Sequence, residues 1–181
     1  MIFLKKLIII ILAIISMFFI YSTVSAEEVL IPDSSIRLRV VANSNSIHDQ
    51  SMKKLVKDYI EDEVYELLNG VDRIEDARRI ISDNLENINS DIESIFVDNN
   101  YDMDYKVDFG YNYFPNKMFK SVKYKEGYYE SLVVYIGEAK GDNWWCVLFA
   151  PLCLIDTESV SDNEYSFFVA EVIENFFKNN K

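Results

Sequence analysis

The chain has 181 residues with 18 basic and 30 acidic side chains, a formal net charge of −12, and half of its residues are hydrophobic. So acidic a chain lacks the basic footprint that nucleic-acid binding through counterion release requires, and attraction to an anionic membrane surface is disfavoured for the same reason. It has no internal repeat and no low-complexity linker, and its two cysteines permit one disulfide at most.

At the start, Lys5 and Lys6 precede an apolar run from Leu7 to Ile20 that closes on the small residues Val24, Ser25 and Ala26. This predicts a secretory signal peptide over residues 1–26. The other reading is an uncleaved N-terminal anchor, because extending the run to Val24 brings it close to bilayer-spanning length. Under either reading the remainder leaves the cytoplasm. Residues 27–181 then form a single domain in which 16 basic residues face 30 acidic ones, a formal charge of −14. That length buries a hydrophobic core without a cysteine framework.

After Pro32 and Asp33, "SIRLRVVA" alternates Ile36, Leu38 and Val40 with Arg37, Arg39 and Val41, the pattern of a strand with one core face and one mixed face. "NSNS", residues 43–46, predicts a turn whose side chains cap the helix that follows, with Asp49 complementing its dipole. The functional alternative for "NSNSIHDQ" is a recognition loop. Met52, Leu55, Val56, Tyr59, Ile60, Val64, Leu67 and Leu68 recur at helical spacing up to Asn69-Gly70. A second helix from near Asp72 carries Ile74, Ala77, Ile81, Leu85, Ile88, Ile92 and Ile95 on one stripe; at about three heptads, packing on the domain's own sheet is favoured over a coiled coil.

From Asp104 the period returns to two, with Tyr105, Val107 and Phe109 on one side and a possible extension past Gly110 into "YNYFPNK". Lys125-Glu126-Gly127 predicts a turn, Tyr129 to Ile136 a strand, and "GEAKGDN" a hairpin loop into Trp144 to Phe149. A last helix over 163–177 starts at a capping box of Ser161 and Glu164. The order β-α-α-β-β-β-β-α predicts an α+β domain: a mostly antiparallel sheet with helices packed on one face.

Catalytic constellations are hard to assemble from this chain. The single histidine, His48, leaves no multi-histidine zinc site, and no nucleophile elbow, P-loop, dinucleotide fingerprint or EF-hand loop is present. "DNNYDMDYKVD" has the carboxylates of a calcium loop without its glycine and final glutamate, which favours a solvated loop. Carboxylates at glycosidase-like separation remain open in so acidic a chain.

"GDNWWCVLFAPLCLID", residues 141–156, is the exception to the one-sided pattern. Trp144, Cys146 and Leu148 would share one face of the strand and Trp145, Val147 and Phe149 the other, and both faces are apolar. One tryptophan is therefore expected in the helix-covered core and the other on the opposite face near Arg37, Arg39 or Tyr135. Tryptophan, tyrosine and arginine are enriched in binding hot spots, so that face is a candidate partner surface; the alternative is that loops such as "YNYFPNK" fold over it and complete a two-sided core. Cys146 and Cys153 form a disulfide if Pro151 turns the chain back, and otherwise stay as two buried thiols.

Three segments, "IPDSSIRLRVVANSNSIHDQ", "FGYNYFPNK" and "GEAKGDNWWCVLFAPLCLID", together resemble the stage II sporulation protein R family of endospore-forming bacteria. The resemblance implies a secreted signalling protein, not an enzyme. It would be made in the forespore and exported into the space between the forespore and mother-cell membranes. There it would activate a membrane-embedded aspartic protease that processes the sigma-E precursor. No cofactor, metal, nucleic acid or small-molecule substrate is expected, and the catalytic aspartates would be the partner's. Ala150 before Pro151 and Asn45 in "NSNS" depart from the family's usual pattern. The partner-binding candidates are Arg37, Arg39, Tyr135, Trp144 and Trp145 on strands, Asn43 in the turn, and Tyr113 and Phe114 in "YNYFPNK". An exported wall-binding domain or wall-active hydrolase, its tryptophans stacked on sugar rings, is the competing class.

Overall fold

The computed structural model describes residues 6, 10–12, 14–16, 29–119, 122–150, 152 and 161–178, except the side chains of 29, 162–166 and 176–178. The leader's cleavage site, Pro151, Cys153 and the Glu164 side chain of the expected capping box lie outside the described residues. In chain order the elements are β1 (Val29–Leu30), β2 (Ile36–Val41), α1 (Ile47–Leu67), α2 (Ile74–Asp83), α3 (Leu85–Asp98), β3 (Tyr105–Phe114), β4 (Lys117–Phe119), β5 (Val122–Tyr124), β6 (Gly127–Ile136), β7 (Asn143–Phe149) and α4 (Asp162–Lys178).

The fold is α+β, as expected. Four strands form the main sheet in the order β3-β6-β2-β7, with β3–β6 and β2–β7 antiparallel and β2–β6 parallel. A smaller sheet, β1-β5-β4, stands apart from it. The alternation in "SIRLRVVA" is realised: Ile36, Leu38 and Val40 join Leu132, Val134, Ile136, Cys146 and Leu148 in one core with Met52, Val56, Ile60 and Val64 of α1 and Ile81, Ile88 and Ile92 of α2 and α3. Burying so many branched side chains, at roughly 1.5–3 kcal/mol each, is what holds the helices to this face.

Two expectations need correction. "GEAKGDN" is no hairpin loop, because β2 lies between β6 and β7. The loop instead crosses the end of β2, held there by Lys140 N–H to the Asn43 carbonyl at 3.1 Å and Gly141 N–H to the Ala42 carbonyl at 2.9 Å. A strand from a distant part of the chain occupies the place beside β6, and local sequence carries no record of that. The expected second helix is also two helices, broken at Asn84, whose side-chain amide donates to the Ile80 carbonyl at 2.9 Å and competes with the helix's own bonding.

The opposite face of the main sheet is covered as well. Ile31, Val122, Tyr124, Val147, Leu152 and Val169 form a second cluster, with Trp145, Phe168, Val172 and Ile173 packed against it, so α4 and the small sheet cap this side. The two-sided core anticipated as an alternative is therefore present. Among the described residues, no helix is long and apolar enough to cross a membrane.

Candidate partner-binding site

At the turn after β2 the side chains do structural work. Ser46 caps α1 by accepting from Asp49 N–H at 3.1 Å. The Asp49 carboxylate is buried and accepts from Ser44 Oγ (2.5 Å), Asn43 Nδ2 (3.0 Å) and Tyr101 Oη (2.6 Å). The Ser44 hydrogen bond, followed by that of Tyr101, outweighs burial and holds its pKa down to about 2. Asn43 reaches the other way too, accepting from Glu138 N–H at 2.9 Å, while Asn45 accepts from Asp142 N–H at 2.7 Å. Asn43 is thus a peg that joins the turn to the crossing loop. Exposed His48 lies edge-on to Tyr101, with ring centroids 5.1 Å apart.

The two tryptophans part as the alternation demands. Trp144 packs on the helix-covered core, donates Nε1 to Glu61 Oε1 at 3.0 Å and lies under Lys57 Nζ at 4.5 Å from its ring. Burial raises the Glu61 pKa against the opposing pull of Lys57 and Trp144. Trp145 faces the other side, paired in register with Arg39, as Val147 is with Arg37. Its ring meets Phe114 at 5.3 Å and Tyr124 at 6.1 Å, and Lys117 Nζ stands 4.7 Å from it.

Arg37 is fully buried beside this tryptophan, its guanidinium 3.3 Å from the Tyr129 ring centroid and 5.6 and 5.9 Å from those of Phe114 and Tyr124. Half-buried Arg39 lies 6.0 Å from Phe114 and 5.8 Å from Trp145 and donates to the Tyr113 carbonyl at 3.4 Å. Burial lowers the pKa of both arginines. Lys117 is lowered too, by burial and then by the neighbouring Lys53 and Arg39. Tyr135, across the sheet on the same face, donates to Asn112 Oδ1 at 3.4 Å.

Sequence reasoning expected one tryptophan, without saying which, on the face near Arg37, Arg39 or Tyr135; in the structure it is Trp145, with Arg37, Arg39 and Phe114 beside it. The structure separates Trp144 and Asn43 from them. Tyr113 is on the rim, exposed and edge-on to Tyr128, with exposed Tyr111 nearby on the same strand. Lys117, Tyr124 and Tyr129 were missed as members. The signal for Lys117 was present in "FPNK", but nothing in the sequence places its Nζ over the Trp145 ring. Among the described residues, no group of acids, cysteines or histidine could hold a metal ion.

The stage II sporulation protein R family model matches residues 32–159, which include all the residues that form this site. The chain belongs to that family. It is 36% identical over 141 residues to the stage II sporulation protein R of Bacillus subtilis (strain 168), an alignment covering 76% of this chain and 63% of that relative. The chain therefore matches less than two thirds of the relative's length. No solved structure matches it. A role in sporulation follows from membership. The three segments that carry the family likeness meet in space: β2 and its turn, the end of β3 with Phe114 and Lys117, and the crossing loop with β7.

Proposed function

We propose that this protein is the secreted forespore signal of its family: it crosses into the space between forespore and mother-cell membranes and activates a membrane-embedded aspartic protease there, so that the sigma-E precursor is processed. In this reading it is a ligand and does no chemistry of its own. The observation that carries the proposal is the face around Trp145. Tryptophan, arginine and tyrosine gather there on the sheet, and the three family segments contribute Arg37, Arg39, Tyr113 and Trp145. Export is supported by the leader pattern, in which Ile10, Ile11, Leu12, Ile14 and Ile15 are helical and exposed.

The test is deletion of residues 1–26 in sporulating cells. The leaderless protein should fold and accumulate, yet leave the sigma-E precursor unprocessed. Normal processing by that variant would contradict the secreted-ligand reading.

A further inference from the structure

The buried side-chain atoms without a hydrogen-bond partner among the described residues are Nε, Nη1 and Nη2 of Arg37, Nε of Arg39, Nε1 of Trp145 and Oδ1 of Asn143. They are not scattered. Residues 37 and 39 lie on one face of β2, and 143 and 145 lie on the same face of its neighbour β7, where the register pairs Arg39 with Trp145 and Val41 with Asn143. Five of these six atoms are donors. A buried guanidinium stacked against aromatic rings, whose polar contact is with the Tyr129 side chain at less than ideal hydrogen-bond geometry, is a costly arrangement, because stacking compensates its charge but leaves its N–H groups poorly paired.

Charge points the same way. In a domain whose formal charge is −14, Arg37, Arg39, Lys117 and Lys53 converge, close enough that Lys53 and Arg39 depress the ionisation of Lys117. Asp33 lies within electrostatic range of Arg37, and Asp142 of Lys117 and Lys53, but neither carboxylate accepts a hydrogen bond from these groups. Asp108, further along the face, is engaged by Lys106 at 3.1 Å. Arg39, Lys117 and Trp145 are only partly buried, so an acceptor enters from their side, with Arg37 behind them as a fixed positive charge.

We propose that this cluster is a binding site for a carboxylate, supplied by an acidic side chain of a protein partner. A neutral acceptor would satisfy the N–H groups of Arg39 and Trp145 but leave the converging cations uncompensated, whereas a carboxylate does both. An acidic peptide also offers side-chain stems to lie along Trp145 and the exposed tyrosines Tyr111, Tyr113 and Tyr128 at the rim. The inference deepens the signalling proposal by naming the chemistry of the partner's contact, and it depends on that proposal only for the partner's identity.

The test needs no protease. The purified chain is titrated with a capped hexaglutamate peptide, a capped hexaglutamine peptide and free succinate, followed by tryptophan fluorescence. Saturable binding of hexaglutamate, weakened by salt and absent for hexaglutamine, is expected. Arg39→Gln should weaken it by about tenfold or more without changing the melting temperature. Arg37→Met should abolish it while the fold becomes as stable as wild type or more so, because a buried unpaired cation has been replaced by an apolar side chain of similar length. Undiminished binding by either variant would overturn the proposal, as would no response to hexaglutamate. Equal binding of succinate would assign the site to a small anion from solution and overturn the peptide reading. Failure here leaves the leader-deletion test of the signalling role untouched.

Discussion

Trp144 and Trp145 are adjacent and half-buried, yet their indole N–H groups have opposite fates: one is hydrogen-bonded to Glu61 and the other has no acceptor among the described residues. Phenylalanine keeps most of the ring and removes only that donor. Trp144→Phe should therefore cost about 0.5–1.5 kcal/mol, because it removes one hydrogen bond from a partly buried carboxylate that Lys57 still holds, whereas Trp145→Phe should be within about 0.5 kcal/mol of wild type in urea unfolding. Equal losses would mean that the two side chains are both simply core. Asp49 offers a second residue-scale check. Its folded pKa of about 2 lies below the ordinary carboxylate value. Its contribution is thus fully present above pH ~4 and is lost as pH falls through ~2, amounting to about 2 kcal/mol. Unfolding free energies measured from pH 5 to pH 2 should fall more steeply for wild type than for Asp49→Asn. Parallel curves would remove Asp49 as the source. The residues of "NSNSIHDQ" were legible as a cap, but Tyr101, which completes the Asp49 cage from 52 positions away, was hidden in a loop that reads as solvated.

Among elements, the alternating strands and the α1 stripe could be read directly, because periods of 2 and 3.6 are written into the chain wherever one face is buried. Strand order was not legible: β6 and β7 are neighbours in sequence, and the pairing that separates them depends on β2 arriving from the other side of three helices. The crossing loop is where that topology is most exposed to test. A Cβ on Gly141 would collide with the Ser44 carbonyl, and Gly137, at φ +54°, faces the Asn43 side chain in the same way. Gly141→Ala should cost about 1–3 kcal/mol in chemical denaturation, since backbone rather than a movable side chain stands in the way. A stability equal to wild type would mean that the loop does not sit over the turn as described.

On the scale of the whole molecule, a helix-covered face supplies a core while the opposite face, closed by the small sheet and α4, carries the cations and aromatics. After β7 the chain turns back, with Leu152 N–H donating to the Val147 carbonyl at 3.0 Å. This supports the proposal that Cys146 and Cys153, the latter outside the described residues, close a disulfide worth about 2–3 kcal/mol. Thiol titration of the denatured exported protein should find no free thiol, and two would refute the pairing. In the proposed function the Trp145 face, and not merely a folded exported domain, delivers the signal. That role is tested most directly by following sigma-E precursor processing in sporulating cells that export the Arg39→Gln variant. Wild-type levels of folded protein with processing strongly reduced are expected; processing at the wild-type rate would show that this face does not deliver the signal.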